Sequence, residues 1–103
     1  MKKWRNSREY RIWRVKVIRR DKVCVICGSR SRRAAHHLNH ATYFPEQRYD
    51  LDNGVCLCGK HHMLLHTKYK RSYRTKVTKR DFEHFKILMD SAKELAIKEL
   101  KKG

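Results

Sequence analysis

The chain has 103 residues, 27 of them Lys or Arg against 10 acids, for a formal charge of +17; 40% of residues are hydrophobic. That length suits one domain, residues 1–103, with a thin core that a metal staple would support. No apolar run reaches the roughly 18 residues of a membrane span, and charge of one sign this strong points to a polyanionic partner, most often nucleic acid.

The opening "MKKWRNSREYR" lacks the apolar stretch of a secretory signal, so a reducing, cytoplasmic setting is expected. There, four cysteines read as metal ligands or buried thiols rather than as two disulfides. The charge is unevenly spread: residues 1–33 carry a net +11, residues 34–66 a net −1 and residues 67–103 a net +7. Two basic flanks around a near-neutral centre suit a protein whose ends grip a phosphate backbone.

Taken in chain order, Asn6 with Glu9 resembles a capping box. Tyr10, Trp13 and Val17 then recur at helical spacing, predicting a basic N-terminal helix to about Arg20 within residues 1–23. "VCVICG" follows, a cysteine hairpin with Gly28 at its turn. Ala34 to Leu38 is a short candidate strand, "NHATYFPEQRYDLDN" a long loop, and "GVCL" a return strand. "HHMLLHTKYK" has helical character with His62 and His66 on one side. After a basic linker, Thr78 and Asp81 are expected to cap a last helix. Phe82, Phe85, Met89, Ala92 and Ala96 form its core stripe, with Leu88 and Leu95 alongside.

Six of the seven histidines fall between Ala34 and His66, and they divide between two kinds of chemistry. Cys24 and Cys27 form a Cys-x-x-Cys half-site, and Cys58 and His61 repeat the same gap, together a Cys₃His set suited to a structural Zn²⁺. Cys56 competes with Cys58 for the third position; Cys58 is preferred because it keeps the knuckle spacing and Gly59 supplies the turn. His36, His37, His40, His62 and His66 are then unspent. Adjacent residues of an extended segment point to opposite sides, so one of His36 and His37 can bind a metal while the other faces elsewhere. A helix bearing His62 and His66 can supply opposing ligands. A metal beside a neutral imidazole is a hydrolytic arrangement.

In this order, "WRVKVIRRDKVCVICG", "AHHL", "PEQRYDLDNGVCLC" and "KHHMLLH" resemble the HNH endonucleases, or ββα-metal nucleases, and are similar to short phage-type members with a zinc staple. The resemblance covers about residues 10–66. It implies an α+β fold in which two short antiparallel strands and a helix grip a metal, with zinc knuckle and core within 24–66 and the basic linker and C-terminal helix within 67–103. It assigns His37 as general base and Asn53 as the brace of the loop that orients it. His36 and His62 become ligands of a catalytic Mg²⁺ or another divalent ion such as Mn²⁺, and His66 a further ligand as in colicin-type DNases. Relatives mostly place Cys where this chain has His61. Double-stranded DNA is the implied substrate, with Arg48, Lys68, Lys70, Arg71 and Arg74 as candidate contacts and Tyr69 and Tyr73 interleaved among them. One such site cuts one strand, so a double-strand break calls for a homodimer or two visits. A phage packaging motor is a partner class the resemblance admits. The competing function is a non-catalytic zinc-stapled nucleic-acid-binding module.

Overall fold

The computed structural model describes residues 3–69 and 77–102, with side chains for 4–68 and 77–92. It is a small α+β arrangement of three helices and one two-stranded antiparallel sheet. A 3₁₀ turn at Lys3–Asn6 leads into α1, Arg8–Asp21. The cap is Ser7, one residue later than the capping-box reading of Asn6: Ser7 is extended and its Oγ accepts from the Tyr10 N–H at 3.1 Å. Asn6 is drawn into the preceding 3₁₀ turn, so the shorter hydroxyl side chain takes the role. The helix stops at Lys22, whose φ of 66° turns the chain away while its N–H still reaches the Ile18 carbonyl.

β1, Ala34–His37, pairs with β2, Gly54–Leu57, in the register Ala34↔Leu57, Ala35↔Cys56, His36↔Val55 and His37↔Gly54. The connection between them is irregular apart from 3₁₀ turns at Pro45–Gln47 and Leu51–Asn53. α1 lies across one face of this hairpin. The approach is so close that a Cβ on Gly54 would sit 2.6 Å from Trp13 Cζ2 and 2.7 Å from Val17 Cγ2, which only glycine permits. Trp13 Nε1 donates to the Asp50 carbonyl at 2.8 Å, and Arg20 donates to the carbonyls of Leu51 and Gly54. Asp21 pairs with Arg20 and accepts from the Cys56 N–H at 2.9 Å. One end of α1 is thereby tied to β2 by charge-assisted bonds.

α2, Gly59–Tyr69, covers the other side, followed by α3, Lys79–Lys102. The expected cap of α3 is present: Asp81 accepts from the Thr78 N–H at 2.8 Å and lies 3.3 Å from its hydroxyl. Cys24, Leu38, Leu57, Cys58, Leu65, Phe82 and Phe85 form the buried core, with Val25, Ile26, Val55 and Met89 packed against it. Ala92 is exposed rather than part of that stripe, and Leu88 is also on the open side. α3 packs against α2 and reaches the core through Phe82 and Phe85, before this point in the helix. Ala96 and Leu95 lie outside the described side chains. Among the described residues no helix is long and apolar enough to cross a membrane.

Candidate metal centres

Two clusters of ligand atoms converge, one on each side of the first turn of α2. In the first, Cys24, Cys27, Cys58 and His61 place their sulfurs and a ring nitrogen within 4.8 Å of one another. The Cys27 and Cys58 sulfurs are 3.7 Å apart, and His61 Nδ1 is 3.3 Å from Cys58 Sγ and 3.8 Å from Cys24 Sγ. A tetrahedral zinc site with ordinary bond lengths has sulfur–sulfur edges of about 3.8 Å and sulfur–nitrogen edges of about 3.6 Å. These spacings lie near those edges, and the four side chains could hold a metal ion such as zinc.

Local backbone explains the placement. Gly28, with φ +76°, donates to the Cys24 carbonyl and folds the first knuckle; Gly59 N–H donates to the Ser31 carbonyl and holds the second beside it. Two of the four donors, Cys24 and His61, lean toward their ligating protonation states. Burial pushes the Cys24 thiol up, but N–H groups of Cys58, Cys27 and Ile26 outweigh it and hold the thiol below its ordinary value. Burial, with a smaller push from Lys60, lowers His61, favouring the neutral imidazole a metal needs. Burial and the nearby Cys58 and Cys24 sulfurs raise Cys27. Crowded sulfurs of this kind are relieved by a cation. Cys56, the competitor for the third position, is outside the cluster; burial and then the Asp21 carboxylate push its thiol up, as for a neutral core residue.

In the second cluster, His36, His62 and His66 bring one nitrogen each within 4.8 Å of the others. His62 and His66 sit one turn apart on α2 with their Nε2 atoms 3.0 Å apart. Two nitrogens on one zinc-sized ion are about 2.9–3.3 Å apart, depending on geometry. His36 reaches in from β1, its ring 5.8 Å from that of His62 and 6.4 Å from that of His66. It is only 1% exposed, beneath Phe82 of α3, whereas His62 and His66 are half-buried. The cluster is closed from below and approachable from the α2 side.

His37, the next residue of β1, faces the other way, as strand alternation requires. Its ring stacks on Trp13 at 4.0 Å and 6° from parallel, with Trp4 edge-on at 5.5 Å and Tyr10 at 6.2 Å. Its Nε2 lies 2.8 Å from the Arg48 carbonyl oxygen. A carbonyl only accepts, so Nε2 carries the proton and Nδ1 is the basic nitrogen.

Asn53 is buried and spans the loop: its Oδ1 accepts from the Asn39 N–H at 2.8 Å, and its Nδ2 donates to the Asn39 and Gln47 carbonyls. Gln47 immediately precedes the Arg48 carbonyl that His37 grips. His40 serves the same loop, its Nδ1 accepting from the Thr42 N–H and its own N–H reaching the Val77 carbonyl. The Arg48 guanidinium is engaged within the protein, donating twice to the Ala41 carbonyl and lying 5.0 Å over the Trp4 ring. Lys68 is exposed near the end of α2. Lys70, Arg71, Arg74 and Tyr73, and the side chain of Tyr69, fall outside the described residues.

The aromatic wall of Trp4, Tyr10 and Trp13 around His37 was not anticipated. Helical spacing marks Tyr10 and Trp13 as inward-facing, but no local pattern names the strand residue they meet. Comparison with known proteins returns no matching family model, no matching curated protein and no matching solved structure.

Proposed function

We propose that the protein is a metal-dependent endonuclease of the ββα-metal (HNH) kind, acting on double-stranded DNA. The observation that carries the reading is the three-histidine cluster on the β1–α2 side with a tautomer-fixed histidine as the next residue of the same strand. A non-catalytic zinc module has a use for the Cys₃His set and none for this second arrangement.

The donor set is three imidazoles without a carboxylate. Magnesium prefers oxygen ligands, whereas imidazole suits zinc, nickel and copper; the site therefore fits a transition-metal ion and fits magnesium poorly. When bound at His36, His62 and His66, such an ion supplies charge neutralisation at the phosphate and the departing oxygen. His37 takes a proton from water at Nδ1, and the resulting hydroxide forms a bond to phosphorus as the bond to the 3′ oxygen breaks. The face of Trp13 stabilises the positive charge His37 acquires. Asn53 acts as a positioning residue, holding the loop whose Arg48 carbonyl fixes the ring.

Supercoiled plasmid incubated with zinc-loaded protein tests this directly. Nicked circles should appear with added transition-metal ion and vanish in His37→Ala, whose metal content should be unchanged. Intact plasmid under all metal conditions, with DNA binding retained, would leave the non-catalytic module as the function.

A further inference from the structure

The outer face of α1 has a composition that folding does not require. Tyr10, Trp13, Val17 and Arg20 point inward, and Trp13 and Val17 are 2% and 0% exposed. On the opposite side, Arg8, Arg11, Ile12, Val15, Lys16 and Arg19 line a shallow open groove. Ile12 and Val15 are 43% and 44% exposed at its centre. No acid lines it, and among the described residues the one ion pair is Arg20–Asp21, on the other side of the helix. Arg8 and Arg11, and again Lys16 and Arg19, are like-charge pairs three apart, which weaken an isolated helix. A polyanion would convert that repulsion into attraction.

We propose that this face of α1 is a duplex-binding surface that seats in a major groove, apart from the histidine cluster. An α-helix is about 10–12 Å across and the major groove about 12 Å wide. The cationic ends reach phosphates along the rims, and the two aliphatic side chains between them meet base edges, where thymine methyl groups offer apolar contact. A membrane surface is the poorer match, because an interfacial helix needs a broad apolar face with bulky side chains. α1 stands between this face and His37, which packs against Trp13 on the inner side, so the same phosphates cannot touch both. The surface anchors; it does not cut.

The inference rests on the nucleic-acid part of the proposed function and is independent of catalysis. Its test is therefore binding by zinc-loaded His37→Ala protein to a fluorescent duplex of about two helical turns across a salt series. The combined Arg11→Gln, Lys16→Gln and Arg19→Gln variant should bind about tenfold or more weakly at low salt, with a log–log salt slope shallower by about 2.7. The pair Ile12→Ser and Val15→Ser should weaken duplex binding without changing the slope. Zinc content should be unaltered in both, since these side chains face solvent. Unchanged affinity and slope in the triple variant would overturn the anchor while plasmid cleavage, if present, kept the nuclease reading. Equal affinity for a single strand, or capture by phosphatidylserine vesicles that depends on Ile12 and Val15, would also overturn it. No binding to any nucleic acid by the parent protein would remove both.

Discussion

At the scale of single residues, the division between His61 and His62 is the most consequential detail. They are neighbours in sequence yet belong to different clusters, because successive helical positions are turned about 100° apart. Under the proposed function, His62→Ala should therefore lose the ion of the imidazole cluster and keep that of the thiol cluster, as read by metal analysis of the purified protein. The cysteine ligands were legible because two x-x spacings are local geometry. The surroundings of His37 were not, because stacking on Trp13 depends on how α1 crosses the hairpin. Gly54 belongs to the same class: its sequence context names a strand start, and only the crossing shows that Trp13 and Val17 need the space. Gly54→Ala should destabilise the zinc-loaded protein by about 1–3 kcal/mol through overpacking, measured by denaturant unfolding.

Elements are joined mainly through the β1–β2 hairpin and α1. The Arg20–Asp21 pair docks α1 onto Leu51, Gly54 and Cys56. Burial tends to raise the Asp21 carboxyl, but Arg20 and the Cys56 N–H together hold it below its ordinary value. A depressed native value means the ionised form favours folding at pH above the ordinary carboxylate range, and that contribution disappears as pH falls through the native value. Asp21→Asn should accordingly be less stable than the parent at neutral pH, and the difference should close in acid, as followed by circular dichroism. The Thr78–Asp81 cap was readable from spacing alone, since it lies within four consecutive residues. The start of α1 was misplaced by one position because Asn6 and Ser7 can both cap, and the preceding 3₁₀ turn decides between them. Thr78→Ala should cost α3 about 1 kcal/mol, visible as a lower unfolding midpoint.

For the whole molecule, the core is small and its centre is partly built from candidate ligands: Cys24 and Cys58 are core residues and also belong to the cluster that could hold a metal ion such as zinc. Chelation should unfold the protein or lower its melting temperature sharply, with recovery on adding zinc back; a melting curve insensitive to chelator would show that the thiol cluster holds no structural ion. The basic flanks were evident from charge, and which face of α1 stays open required the packing. The α+β class, which the family resemblance implied, is present as three helices and a two-stranded antiparallel sheet.

His61 of the thiol-rich cluster and His62 of the imidazole cluster share the first turn of α2, with His66 one turn on, so one element serves as mount for both. If both clusters hold ions as proposed, trace-metal supply would act as a licence for that chemistry. A zinc-starved cell would hold polypeptides with every reactive side chain intact and no platform to aim them, dormant until the first ion arrives.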